Sequence, residues 1–516
     1  MNLLARLESA LAVFAPRAAR DRMLARLQFR ALAGVHEATR PGRNRRMARD
    51  QGSANRIVSM DAATIRDQAR ALDRDHDIAT NALNILEQNI VGSGIGVEPA
   101  PRLPGQPVDR DLARQLADLW GDFWVRPEVT GRMDLAKAQR LLCRTWMRDG
   151  EAMFQRLKGP VAFLDHGTDV PYSLELFEPD MVPLDLNDED KGIAQGLQLN
   201  AWDRITGYCV FKRHPGDGLA LREEYKIVPA DRIGHIALTT RLHQRRGLSV
   251  FSSVIARLAD LKEYEDAERI AAKVAASMTA FIKKDANLAG ETGSLNTLDP
   301  GAGTGRRDLQ LRPGAIFDDL LPGEDVGVIK SDRPNPNLVT WRGGQLRAAS
   351  GGLRVSNSSL SKNYDGSYSA QRQELVEQWG AYALLTEEFV DRVVRVIYRD
   401  FVEVAVLSGL VRLPRGWQLR HLAAASYIRP TMPWIDPLKE VLSMGELVDR
   451  EWMAPQQAIR RRGERPADVL DLLQDWQQQR AERGLPEAPA ANAADSATRA
   501  QLRIAAVRAA ATRDTE

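Results

Sequence analysis

Two glycine clusters are the first residues in the chain that could do chemistry, because backbone N–H groups unshielded by side chains can cradle a phosphate. One is Val91-Gly92-Ser93-Gly94-Ile95-Gly96 and the other Gly301-Ala302-Gly303-Thr304-Gly305-Arg306-Arg307. A dinucleotide site needs a strand before its glycines and a helix after them. The first cluster has the opposite order, a helical pattern before and the extended Val97-Glu98-Pro99 after, so it reads as a helix C-cap and turn. The second lacks the closing Gly-Lys-Ser/Thr of a nucleotide-triphosphate loop, and Lys follows Gly nowhere in the chain. It reads as a loop tip with a basic contact at Arg306 and Arg307.

Metal and nucleophile chemistry fares no better. Asp185, Asn187, Asp188, Glu189 and Asp190 crowd one connection, but the spacing and terminal Glu of a calcium loop are missing. The seven histidines are scattered, with neither His-Glu-x-x-His nor any metal spacing to a cysteine. No Gly-x-Ser-x-Gly elbow occurs. The paired acids Glu387-Glu388 and Glu263, Glu265, Asp266 fit exposed charge or pairing between subunits better than acid–base catalysis. Cys143 and Cys209 cannot make a disulfide framework, so a reducing compartment is the default. The expectation is a non-enzymatic protein with no catalytic centre, metal or cofactor. No apolar run is long enough to span a membrane. Residues 1–50 are rich in arginine, a pattern open to two readings: an arm on nucleic-acid phosphates, or a solvated terminus.

With 516 residues, 44% hydrophobic and 27% charged, and a net charge of +2, the chain can bury sizeable cores and has no polyelectrolyte character overall. Periodicity predicts helices over 61–91, around Leu112, Leu116, Trp120 and Trp124, over 135–148, and over 249–284. Between them, 151–158, 172–178, 196–202, 207–213 and 224–238 alternate like strands of an antiparallel meander. The longest helical pattern carries Leu375, Trp379, Tyr382, Leu385, Phe389, Val393, Ile397, Val404 and Leu407 on one face. From Tyr368 to Leu407 it would be about 60 Å long at 1.5 Å per residue. A Gly- and Ser-rich loop from Gly351 feeds it, ending in Asn363-Tyr364-Asp365-Gly366-Ser367. A helix of this length behind a polar loop suggests a spine with an exposed device at its end. Pro437–Met444, Pro455–Arg462 and Ala467–Arg480 pattern as short helices with Gly445 and Gly463 at ends, and a low-complexity tail follows.

Several stretches, in order, resemble the lambda-type portal family of tailed bacteriophages. They are Asn89-Ile90-Val91-Gly92-Ser93-Gly94-Ile95, Trp120 with Trp124, Arg148-Asp149-Gly150-Glu151-Ala152-Met153-Phe154, and Leu176-Phe177-Glu178-Pro179-Asp180. Val228-Pro229-Ala230-Asp231-Arg232-Ile233-Gly234-His235, Arg246-Gly247-Leu248-Ser249, the helix Asp260 to Glu268, Leu346-Arg347-Ala348-Ala349, and Tyr364 to Arg372 complete the set. The likeness runs from about residue 60 to 465.

That resemblance implies an α+β, predominantly helical portal fold assembled as a ring, a dodecamer in this family. It divides the chain into a basic arm (1–50), an α/β wing (51–248), a first stem helix (249–280), a clip (281–336) and a second stem segment (337–352). A channel-facing tunnel loop (353–368), the spine helix (369–410), a helical crown (411–485) and a disordered tail (486–516) complete the division. It implies a head–tail connector at one capsid vertex of the virion, put together in the host cytoplasm, through which double-stranded DNA is packaged and ejected without sequence reading. Implied partners are the large terminase subunit, the major capsid protein and scaffold, and head–tail adaptor proteins, with no membrane. Arg354, Asn357, Lys362, Asn363 and Tyr364 are the candidate DNA-channel residues. Lys283, Lys284, Arg306, Arg307 and Arg312 are the candidate terminase contacts on the clip. The alternative is a ring-forming tail or baseplate adaptor with no role in packaging. A packaging ATPase or nuclease would need the phosphate loop or clustered carboxylates that the sequence lacks.

Overall fold

The computed structural model describes residues 52–217, 224–277, 281–284, 324–327, 335, 337–432 and 437–484. The chain divides into two compact units, Met1–Ile57 and Val58–Glu516. Among the described residues, every strand belongs to the second unit. The expected basic arm (1–50), the candidate terminase contacts Arg306, Arg307 and Arg312, and the expected disordered tail (486–516) lie outside the described residues.

The predominantly helical α+β class implied by the resemblance is the observed one. The first helical pattern, however, is two helices, α1 (Ala54–Asp75) and α2 (Asp77–Ile90), broken at an extended His76. The buried His76 ring lies 3.1 Å from the carbonyl of Leu258, so a distant packing contact holds the break where local pattern shows none. Gly92 and Gly94 then turn the chain with positive φ into β1 (Gly96–Pro99), which pairs antiparallel with β11 (Ala425–Ile428). Helices α3 (Arg110–Val125) and α4 (Leu135–Asp149) each begin at an aspartate, Asp109 and Asp134, whose carboxylate accepts from the N3 amide.

The strands form two sheets rather than one meander. Strands β2 (Glu151–Lys158), β3 (Tyr172–Phe177) and β8 (Ile233–Ala237) make one in the order β3-β2-β8. The short β4 (Ile193–Ala194) and β5 (Leu197–Leu199), with β6 (Ile205–Phe211) and β7 (Tyr225–Pro229), make a four-stranded meander. The alternation over 224–238 hides the switch, because a single helical turn at Ala230–Arg232 passes the chain from one sheet to the other.

Helix α5 (Ile255–Ser277) stops short of the expected end. Phe281–Lys284 is a strand, β9, paired with β10 (Glu324–Gly327) in a register that sets Lys283 opposite Asp325 and Lys284 opposite Glu324. Lys283-Lys284 therefore belong to a hairpin base and not to a helix terminus. Helix α6 (Leu338–Leu353) and the short α7 (Asn357–Ser361) lead to the spine. The spine is helical from Tyr368 to Leu407: α8 (Tyr368–Phe389), one π-helical turn at Val390–Val394, then α9 (Arg395–Leu407). After α10 (Leu419–Leu422) and β11 come α11 (Pro437–Asp449), α12 (Pro455–Arg461) and α13 (Pro466–Glu482). Gly445 lies inside α11, not at its end, while Gly463 does close α12 with φ 83°.

Tyr382, Leu385, Phe389, Val393, Ile397 and Val404 of the spine are buried in the main core, together with α2, α3, α4 and β2. Trp120 and Phe123 of α3 bring their rings to 5.0 and 5.3 Å from Phe401, and Trp120 meets Tyr398 edge-on at 5.2 Å. Asp400, also buried, takes Arg156 and Lys158 of β2. The rear of the spine is thus fixed to α3 by aromatic packing and to β2 by a buried ion pair.

Candidate functional site

The front of the spine is different. Helix α6 ends at Arg354, whose backbone is left-handed (φ 60°), and α7 ends at Lys362 in the same conformation (φ 53°). Ser356 caps α7 by accepting from the Ser359 amide at 3.2 Å. The segment between the two left-handed residues is tied down. Asn81 of α2 donates to the carbonyls of Ser359 (3.1 Å) and Leu360 (3.0 Å). Gln378 of the spine donates to the Arg354 carbonyl at 2.7 Å, and Glu374 accepts from the amide and hydroxyl of Ser358. Val355, Ser356 and Leu360 are buried.

Beyond Lys362 the chain leaves the body. Every residue from Lys362 to Ala370 is exposed, with Tyr364 at 57%. This tip keeps a defined shape through local bonds. The Asn363 Oδ1 accepts from the Asp365 amide at 2.8 Å, the Gln371 side chain donates to the Tyr364 carbonyl, and Ser367 caps the spine by accepting from the Ala370 amide. Of the candidate channel residues, Arg354, Lys362, Asn363 and Tyr364 therefore reach solvent. Asn357 is half-buried, with its Oδ1 enclosed. The tip mixes Lys362 and Arg372 with Asp365. Behind it, burial pushes the Glu388 carboxyl up from its ordinary range while nearby Arg392 and Arg354 pull it back.

A second site emerges only in three dimensions. The motifs Arg148-Asp149-Gly150-Glu151, Glu178-Pro179-Asp180, Gly234-His235 and Arg246-Gly247 are far apart in the chain, and they converge on one buried carboxylate. Glu151 and Arg246 are both wholly buried (0% exposed) and meet through two oxygens, Nη2–Oε1 at 2.7 Å and Nε–Oε2 at 2.9 Å. Arg66 of α1 reaches the same carboxylate at 2.9 Å and His235 Nε2 lies 3.1 Å away. Arg246 spends its other donors on the carbonyls of Gln195, Val182 and Pro179. Arg70 and Arg148 form an outer layer on Asp149, and Arg66 and Arg70 hold Asp180. Burial alone would raise the Glu151 pKa, but Arg246 and His235 hold it well below the usual carboxylate range. Asp180 is likewise held low against its burial by Arg66 and Arg70.

Two glycines allow this convergence. A Cβ on Gly247 would stand 1.9 Å from the Gly150 carbonyl oxygen, and one on Gly150 (φ 90°) 2.4 Å from the backbone of Leu248. The chains cross with no room for a side chain.

The acidic connection is tied by bonds of its own. Asp188 pairs with Lys191 at 2.8 Å, and Asn187 Oδ1 accepts from the Gln195 amide at 3.0 Å. Glu178, Asp180 and His214 do bring ligand atoms within 4.8 Å of one another. Arg70 already bridges Glu178 and Asp180, so a cation there would have to displace a guanidinium. Trp120 is core, while the half-buried Trp124 lines a groove of about 940 Å³ with Leu472, Leu473 and Trp476 of α13.

A long helix anchored at its rear, holding a pre-shaped polar tip at its front, defines a structural subunit that presents a surface. The sequence comparisons agree. The profile described as "Phage portal protein, lambda family" matches residues 40–385, and the chain belongs to that family. It is 23% identical over 436 residues to a "Probable portal protein" of Halomonas phage phiHAP-1, covering 82% of each chain. To portal protein B of Escherichia phage lambda it is 24% identical over 491 residues, 86% of this chain and 90% of that one. Among solved structures, a chain from the neck of a native gene transfer agent particle, computed with C12 symmetry, is similar over 79% of this chain and 97% of that one, with TM-score 0.39 and 13% identity. As a member of the portal family the protein is a structural head–tail connector, and the family is not an enzyme class.

Proposed function

We propose that the protein assembles as a closed ring of about twelve copies, placed at one vertex of the capsid during assembly in the host cytoplasm. Duplex DNA passes through its axial channel in both directions, and residues 353–368 line that channel. The observation that carries this reading is the spine tip: exposed from Lys362 onward, polar, and held in shape by the clamped segment behind it. Arg354, Lys362, Asn363 and Tyr364 meet the passing DNA, and Asn357, with its Oδ1 enclosed, can add only its amide nitrogen. Each phosphate neutralised adds affinity, so a moving duplex calls for few cations among polar groups. Two cations with Asn363 and Tyr364 answer that requirement.

The hairpin base with Lys283 and Lys284, together with Arg306, Arg307 and Arg312, docks the large terminase subunit, which hydrolyses the ATP. The major capsid protein, scaffold and head–tail adaptors contact other faces. The test is to substitute Arg354, Lys362 and Asn363 by alanine, singly and together, and to measure packaged DNA length and its retention. Shortened or leaking genomes are expected; normal packaging and retention in every variant would refute the channel assignment. Electron microscopy of the purified protein should show a ring with a duplex-wide hole.

A further inference from the structure

Two exposed features stand at opposite ends of the four-stranded sheet, and they complement each other. At one end the β5–β6 turn lifts Trp202 into solvent, 90% exposed. The turn is not loose: Asn200 Oδ1 accepts from the amides of Trp202 (2.9 Å) and Arg204 (3.0 Å), and the Asp203 amide donates to the Asn200 carbonyl at 3.0 Å. Asp203 also holds Arg245 at 2.9 Å, which brings up the neighbouring loop with Leu242, 91% exposed. Single exposed apolar residues are ordinary, but here two large ones stand on loops joined by the Asp203–Arg245 pair, and together the loops form a prong.

At the other end of β6 a cleft of about 590 Å³ opens, with Leu184, Phe211, Pro215 and Tyr225 among its walls. Its rim carries Asp185, which has no ion-pair partner among the described residues, and the prong carries Arg204 in the same condition. The seven residues of β6 set prong and cleft about 20 Å apart at 3.3 Å per residue. The prong cannot fill the cleft of its own chain. A second copy, displaced along the strand direction, can bring its prong there. A contact between two different surfaces of identical chains is heterologous, and it closes into a ring when the rotation permits.

We infer that Trp202 of one subunit inserts into the cleft of the next, beside Leu184 and Phe211, with Arg204 facing Asp185. This rests on the ring reading above. The wing would then help set ring order, and the cleft is incomplete without the neighbouring subunit's indole.

The test uses the full chain carrying Arg204→Cys and Asp185→Cys together, which leaves the indole and the apolar cleft walls in place, oxidised and run on a denaturing gel without reductant. Cys143 and Cys209 are buried and give little background. A ladder of cross-linked multimers in the double variant, and in neither single variant, is the expected result. Independently, Arg204→Glu and Asp185→Arg should each reduce the ringed fraction, and the two together should restore it. Wild-type rings that form normally while the double-cysteine protein gives no ladder, or charge reversals that leave assembly unchanged, would overturn the inference alone. A wild-type protein that never forms rings would overturn the ring reading, and this contact with it.

Discussion

The Glu151–Arg246 pair offers the sharpest test of how α1 and the three-stranded sheet hold together. Arg246→Ala removes a guanidinium that is wholly buried, as is the carboxylate it faces. Arg66 at 2.9 Å and His235 at 3.1 Å remain, so Glu151 keeps part of its compensation. The carbonyls of Gln195, Val182 and Pro179 lose their Arg246 donor at the same time. Breaking a buried pair from one side costs about 3–5 kcal/mol, and the surviving Arg66 contact places this case near 3 kcal/mol. A domain is stable by only about 5–15 kcal/mol. The fold around β2 should therefore loosen locally, and hydrogen exchange along that strand reports the opening directly. At 1.4 kcal/mol per factor of ten, the amides of Glu151–Lys158 should exchange about a hundredfold faster. An acceleration below about tenfold would mean that Arg66 and His235 carry the carboxylate alone, and the reasoning would be wrong. Glu151→Gln combined with Arg246→Met should recover part of the protection, because no uncompensated carboxylate is left at the site, although Arg66 then keeps only Asp180 and the three carbonyls stay without their donor.

The same geometry sets four more expectations. Gly234→Ala puts a Cβ 2.1 Å from the Phe154 ring, so it should lower stability by about 1–3 kcal/mol or more, read as a fall in melting temperature. Glu151 and Asp180 both have folded-state pKa values below their unfolded ones. Their stabilisation is thus complete above about pH 5 and drains away as pH falls through the lower folded values. Melting temperature should hold from neutrality to that point and then drop, with Arg246→Ala showing a shallower acid slope; equal slopes would count against the cluster. Ser356→Ala removes the cap of α7 at a cost of about 1 kcal/mol, which limited proteolysis should register as faster cleavage at Lys362. Asp400→Ala strands the buried Arg156 guanidinium and should destabilise the join between the spine and β2 by about 3–5 kcal/mol, measured by urea unfolding.

Local pattern carries a good deal. The spine from Tyr368 to Leu407 is legible because apolar residues recur with the helical period over ten turns or so, although Leu375 and Leu407 of that set are exposed and the buried face begins only at Tyr382; the fold class comes with the family resemblance. Glycine order at 91–96 rules out a nucleotide loop for a reason internal to the segment, and Gly92 and Gly94 do have positive φ there. The polar run before the spine marks a tip. What the run cannot tell is where the clamp ends and the tip begins, since Arg354 and Lys362 look alike in sequence and only the bonds from Asn81 and Gln378 separate the fixed segment from the projecting one. The break at His76, the strand at Phe281–Lys284 and the sheet switch at Ala230–Arg232 escape the sequence pattern for a shared reason: each is held by a partner distant in the chain, and periodicity sees only neighbours. The ion cluster is the clearest case. Its motifs are visible as family signatures, but their common purpose is not, because Arg66, Glu151, Asp180, His235 and Arg246 are brought around one carboxylate only when the chain crosses itself at Gly150 and Gly247. Secondary structure is a property of short-range pattern; the charge balance of a buried site depends on long-range juxtaposition, and the fold alone supplies that.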